Sequence, residues 1–128
     1  MATDKAPANV AVWFEIPASD FHRAVGFYEK VFETKLITET MGGAQLGVFP
    51  HEQPGNSGCV IKGDSYKPAR DGCVVYLEAK GALDGPLARA VAAGGKVATP
   101  KTALPEGMGF YAHFMDSEGN RVGLHSVE

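Results

Sequence analysis

Residues 109–126 run Gly-Phe-Tyr-Ala-His-Phe-Met-Asp-Ser-Glu-Gly-Asn-Arg-Val-Gly-Leu-His-Ser. Phe110, Ala112 and Phe114 alternate with Tyr111, His113 and Met115, and Val122 and Leu124 alternate with Gly123 and His125, the period-two pattern of strands. Between them, residues 116–120 form a turn: Asp and Ser bond their own backbone, and Gly119 and Asn120 tolerate positive φ. A hairpin of this kind closes a sheet, and what precedes it decides which sheet.

Reading backward, residues 96–99 are strand-like. Before them Leu83, Leu87, Ala90 and Val91 mark one face of a helix, with Asp84 as its cap, Pro86 in its first turn and Gly94-Gly95 as its stop. Residues 73–78 (Cys-Val-Val-Tyr-Leu-Glu) supply a strand before that helix. The order is strand, helix, three strands. The first half of the chain has the same order. Residues 10–16 alternate as a strand, with Phe14 and Ile16 on one face and Trp13 and Glu15 on the other, and Pro17 ends it. Ser19 or Asp20 caps a helix whose stripe is Phe21, Ala24, Val25, Tyr28, Val31 and Phe32. Residues 36–37, 44–49 and 58–61 are three short strands separated by turn-forming segments. The chain is therefore expected to be one α+β domain of two tandem βαβββ modules, residues 9–63 and 72–127, joined by the polar stretch 64–72. Each module leaves a sheet face that its twin helps to cover.

Composition agrees with one globular domain: 128 residues, 45% hydrophobic and 21% charged. A net charge of −3 provides no broad basic footprint, which argues against nucleic acid as a partner. No apolar run approaches the roughly 20 residues of a membrane span, and residues 1–9 lack the apolar core of a signal peptide, so a cytoplasmic protein is expected. Cys59 and Cys73 have no paired spacing for zinc or a disulfide framework, and both are read as buried thiols.

Three local patterns inside this repeat resemble the vicinal oxygen chelate superfamily, the group of glyoxalase I, extradiol dioxygenases and fosfomycin- and bleomycin-resistance proteins. Residues 20–28 (Asp-Phe-His-Arg-Ala-Val-Gly-Phe-Tyr) resemble its Asp-x-x-x-Ala-x-x-Phe-Tyr helix opening, Ala92-Ala93-Gly94-Gly95 its second-helix ending, and residues 116–120 its Asp-Pro-Asp-Gly-Asn turn. The resemblance implies cupped mixed sheets, a cavity usually completed in a homodimer, and, in the family's enzymes, a divalent metal held by His and Glu from the first and last strands of each module. The chain departs from that ligand set. The first-strand His position falls on Trp13, its second-module counterpart on Val74 or Val75, and the final-strand Glu on Gly123, while residues 57–62 offer neither carboxylate nor imidazole. None of these brings a charged or imidazole lone pair, so no metal site and no cofactor are expected, with a bound divalent metal disfavoured.

The residues left facing away from the helices are Trp13, Glu15, Tyr76, Glu78 and His125, which are assigned to a ligand-binding wall. An unpaired carboxylate inside an apolar strand is costly, so Glu15 is expected to be paired, solvated by a cavity or functional. His125 lies beside Gly123, whose missing side chain leaves space; a carboxylate introduced at Gly123 is expected to be tolerated by the strand. His22 and His113 are read as surface or structural, and the loop residue His51 as a possible participant. The expected function is metal-free binding of a small organic molecule by a homodimer. The alternative is a lyase- or dioxygenase-type enzyme, with Glu15 and His125 as acid and base or with a rearranged metal site of Glu15, Glu78 and His125. A protein whose dimer surface is its only product is a third class.

Overall fold

A computed structural model describes residues 5–128; residues 1–4 of the leader lie outside the described residues. The elements are β1 (Trp13–Pro17), α1 (Phe21–Phe32), β2 (Ile37–Met41), β3 (Ala44–Val48), β4 (Ser57–Lys62), β5 (Tyr76–Glu78), α2 (Asp84–Ala92), β6 (Lys96–Ala103), β7 (Phe110–Met115) and β8 (Arg121–Ser126). They form two four-stranded sheets, ordered β1-β4-β3-β2 and β5-β8-β7-β6. In each, the first strand of the module runs parallel to the last and the remaining pairs are antiparallel. This is the duplicated βαβββ arrangement that the sequence repeat implies.

Local chemistry sets the helix ends. The Asp20 side chain accepts from the Arg23 backbone N–H at 3.0 Å, so Asp20 is the cap of α1. The expected cap of α2 is not one: Leu83 occupies that position without a side-chain bond, and Asp84 turns outward to Lys101, 2.6 Å away. Gly94 ends α2 as expected, at φ 107°.

Several boundaries differ from the sequence reading, each for a physical reason. β1 begins at Trp13, leaving Val10 and Val12 exposed, and it keeps Pro17 because the strand is at a sheet edge, where a missing N–H costs no ladder bond. β5 is only three residues long, and Cys73 lies before it, exposed rather than buried. β6 extends past Thr99 through Pro100 because it too is an edge strand, and its register shifts on both sides of Thr99. Val91 is exposed on α2, while Phe27 joins the buried face of α1.

One apolar core unites the modules. It contains Phe21, Tyr28 and Val31 of α1, Val60 of β4, and Leu77, Ala112, Phe114 and Leu124 of the second sheet. The ring of Phe114 lies 5.8 Å from that of Phe27 and 6.3 Å from that of Tyr28, so α1 packs on the second module as well as its own. The 116–120 turn fastens the same helix by polar bonds. Glu118 accepts from the Ser19 and Asp20 N–H groups at 2.9 and 2.8 Å and from Arg23 Nε at 2.7 Å. Burial would raise the Glu118 pKa, but the Arg23 side chain, the Asp20 and Ser19 amides and the Ser117 hydroxyl outweigh it and hold the carboxyl at about 2.

Because the folded value is depressed from an ordinary 4.5, the Glu118 contribution to stability is complete above about pH 4.5 and is lost as pH falls towards 2. Urea midpoints measured from pH 7 down to 2 are expected to fall through this window in the native chain. They should fall less steeply in Glu118→Gln, which is already destabilised at pH 7. Parallel profiles for the two proteins would contradict the assignment.

Candidate functional site

Strand alternation divides each sheet into a core face and an open face, and the five residues assigned from the sequence lie on open faces. Trp13 and Glu15 project from the first sheet, and Tyr76, Glu78 and His125 from the second. Trp13 is 45% and Tyr76 is 51% exposed, unusual for large aromatics at the middle of a domain. Among the described residues no hydrogen bond joins the first group to the second within one chain.

On the first sheet Glu15 is paired rather than alone. The Trp13 indole N–H donates to its Oε2 at 3.3 Å. Tyr66, from the linker, packs over Leu46, Cys59 and Ile61, and its hydroxyl pKa is raised chiefly by the Glu15 carboxylate and then by burial. Glu15 stands opposite Cys59 in the ladder. Burial, followed by the charges of Glu15 and Glu39, pushes the Cys59 thiol up to about 12, so it stays protonated and unreactive at neutral pH.

On the second sheet the space beside His125 is filled. Tyr76 stands opposite Gly123, and a Cβ at Gly123 would lie 2.3 Å from Cδ2 and 2.5 Å from Cε2 of the Tyr76 ring. The expected tolerance of a carboxylate at Gly123 is therefore corrected: the missing side chain is a seat for the tyrosine, and any substituent must expel it. The Tyr76 hydroxyl lies 2.6 Å from His113 Nε2, and His113 Nδ1 lies 2.9 Å from Thr99 Oγ1. Tyr111 completes an aromatic wall, 6.4 Å from Tyr76 and 5.5 Å from His113 between ring centres. Burial, and secondarily Arg121, lower the His113 pKa below 6.5, keeping the imidazole neutral at pH 7. His125 Nε2 is bound to the Met108 carbonyl at 2.8 Å, and Glu78 stands opposite His125 in register.

His113, Thr99, Tyr111 and Tyr66 are the site residues that sequence reasoning passed over. Two of them carry a signal: His113 pairs with Gly123 and Tyr111 with His125 across the hairpin, so both share the open face that was assigned to His125. Tyr66 lies in a segment without periodicity, and nothing in the sequence places it. His22 borders a groove of about 400 Å³ on the helix side, and His51 lies in an exposed loop beside Gln53. Neither joins the open faces.

A family model for the Glyoxalase/Bleomycin resistance protein/Dioxygenase superfamily matches residues 11–124. The chain belongs to this superfamily. Solved structures agree in fold. An antibiotic binding protein from Streptomyces sp. CB03234, TnmS3, is 23% identical, with 94% of this chain and 98% of that one covered and a TM-score of 0.67. A genomically encoded fosfomycin resistance protein from Listeria monocytogenes, FosX, is 19% identical over 94% of this chain and 91% of its own, with a TM-score of 0.63. A glyoxalase I mutant from Zea mays is 17% identical with a TM-score of 0.67; 91% of this chain is covered, and it spans 46% of the maize protein's length. No curated protein matches the sequence. Among the described residues no helix is long and apolar enough to cross a membrane.

The superfamily's enzymatic metal needs carboxylate and imidazole donors, and the residues present here do not fit it. The two last-strand positions related by the repeat, opposite Glu15 and Tyr76, are Cys59, a protonated buried thiol, and Gly123, covered by an aromatic ring. Trp13, on which the resemblance places the first-strand His, brings an indole N–H donor and no metal-ligating lone pair. Among the described residues no three His, Cys, Asp or Glu side chains converge.

Gly123→Ala should displace Tyr76 and break its bond to His113, lowering stability by about 1–2 kcal/mol in urea titrations. With its cover removed, His113 is expected to titrate at higher pH, nearer 6.5, when its ring protons are followed by NMR. An unchanged His113 titration would mean that Tyr76 does not occupy the seat.

Proposed function

We propose that the protein binds a small, planar organic molecule without a metal ion, in a cavity lined by the open faces of the two sheets and completed by a second copy of the chain. The observation that carries this reading is the Tyr76 ring seated on Gly123: where the superfamily's enzymes place a ligating carboxylate, this chain places an aromatic surface. Trp13 and Tyr76 supply stacking area, and Glu15, Glu78 and His125, joined by His113, supply a few polar groups that orient the bound molecule. TnmS3, an antibiotic binding protein, is a precedent in the same fold; the argument here rests on the residues.

The exposure of Ile37, Met41 and Trp13 on the first open face and Tyr76 on the second supports a homodimer, since isologous pairing is the commonest way to cover such a surface. The cellular site we infer is the cytoplasm.

Trp13 is the single tryptophan of the chain, so intrinsic fluorescence reports the first open face directly. Sedimentation at micromolar concentration is expected to give a dimer. Titration with a panel of planar aromatic compounds should quench Trp13 saturably for some members, equally with and without EDTA, and Tyr76→Ala should weaken that binding by about tenfold or more. A monomer whose fluorescence responds to no compound would defeat the reading, and abolition of binding by EDTA would defeat its metal-free character.

A further inference from the structure

The hydrogen-bonded chain Tyr76–His113–Thr99 has a direction, and that direction selects a ligand class. The two distances favour one direction. At 2.6 Å, the contact between Tyr76 Oη and His113 Nε2 has the length of an O–H donor, whereas 2.9 Å between His113 Nδ1 and Thr99 Oγ1 is the usual length of an N–H donor to oxygen. These lengths suit a neutral His113 with its proton on Nδ1, donating to Thr99 and accepting at Nε2 from the tyrosine hydroxyl; the other tautomer reverses both bonds. In that tautomer the one proton of the hydroxyl is committed to His113. What Oη still presents to the open face, on a residue half exposed, is lone pairs.

Resting on the small-molecule reading above, we propose that Tyr76 is a hydrogen-bond acceptor in the binding site, so that the preferred ligands are planar aromatics bearing an O–H or N–H donor at the ring edge, phenols above all. His113 is the positioning residue: it turns the hydroxyl so that Oη accepts. A phenol lying against the Tyr76 and Tyr111 rings donates to Oη, while its methyl ether sets a methyl group and an acceptor oxygen against lone pairs and leaves Oη without its partner. A ligand stacked on the ring takes Oη out of water, so the ether leaves this acceptor covered and unpaired, and the discrimination exceeds the loss of one exposed contact.

The test uses the full chain and two probes of the same ring, 2-naphthol and 2-methoxynaphthalene, titrated by calorimetry into the native protein, Tyr76→Phe and His113→Phe. Native protein is expected to bind 2-naphthol about tenfold more tightly than the ether, a step typical of one hydrogen-bond donor lost at a buried acceptor. The ratio should approach one in Tyr76→Phe, which keeps the stacking ring, and should shrink in His113→Phe, which frees the hydroxyl to donate. Independently, two-bond proton–nitrogen NMR of the native protein should show His113 protonated on Nδ1 only. An Nε2–H tautomer, a native ratio near or below one, or a ratio that survives Tyr76→Phe would overturn the proposal. If neither naphthalene binds although other compounds quench Trp13, the donor class falls and the cavity reading stands; if nothing binds in either experiment, both fall.

Discussion

The carboxylate of Asp116 is buried, and everything else in the molecule is arranged so that it can be. A charge removed from water is tolerated only when nearly all its lone pairs are met. Here Oδ1 accepts from the Glu118 and Asn120 amides at 2.8 and 2.9 Å, and Oδ2 from the Tyr28 hydroxyl at 2.6 Å and Asn120 Nδ2 at 3.0 Å. The first two bonds make the hairpin turn. The Tyr28 bond ties that turn to the helix of the other module. Asn120 extends the clasp, donating to the Pro17 carbonyl at the end of β1 and accepting from the Ala69 amide in the linker. Burial first, and then the Asp116 charge, keep the Tyr28 hydroxyl protonated far above the usual tyrosine range.

The motif at residues 116–120 has a structural role in this clasp. Its polar groups are consumed in joining α1, β1, the linker and the last hairpin, and Glu118 spends its carboxylate on the start of α1. The polar fastening and the larger apolar core lie on the helix side of the sheets, and a smaller cluster of Leu46, Cys59 and Ile61 lies under Tyr66 on the first open face. The opposite faces carry no fold-determining bond of this kind, so they are the surfaces on which side chains change without loss of the fold. On the second of these faces Tyr76, seated on Gly123, forms an aromatic wall with Tyr111 and His113.

Periodicity and turn chemistry made the duplicated fold legible, and strand parity placed Trp13, Glu15, Tyr76, Glu78 and His125 on the correct faces, because alternation is a local property of a strand. Edge effects were not legible. Nothing in Val10 or Val12 says that the chain stays outside the sheet there, and Pro100 looks like a terminator until its strand is known to be an edge. Gly123 was read as empty space because the ring that fills it comes from a strand far away in sequence. His113 was passed over for a related reason: its role depends on Thr99 and Tyr76, which reach it from two other strands. Asp84 has the residue type of a cap, but Lys101, brought close by tertiary structure, offers it a better partner.

The dependence of the two-module fold on the clasp is tested most directly by a double-mutant cycle in urea, combining Tyr28→Phe with Asp116→Ala. A hydroxyl and a buried carboxylate bonded at 2.6 Å should couple by about 1.5–3 kcal/mol, so the double variant should be more stable than the sum of the single losses implies. Strictly additive losses would contradict it, and would mean that the Tyr28–Asp116 bond does not join the modules.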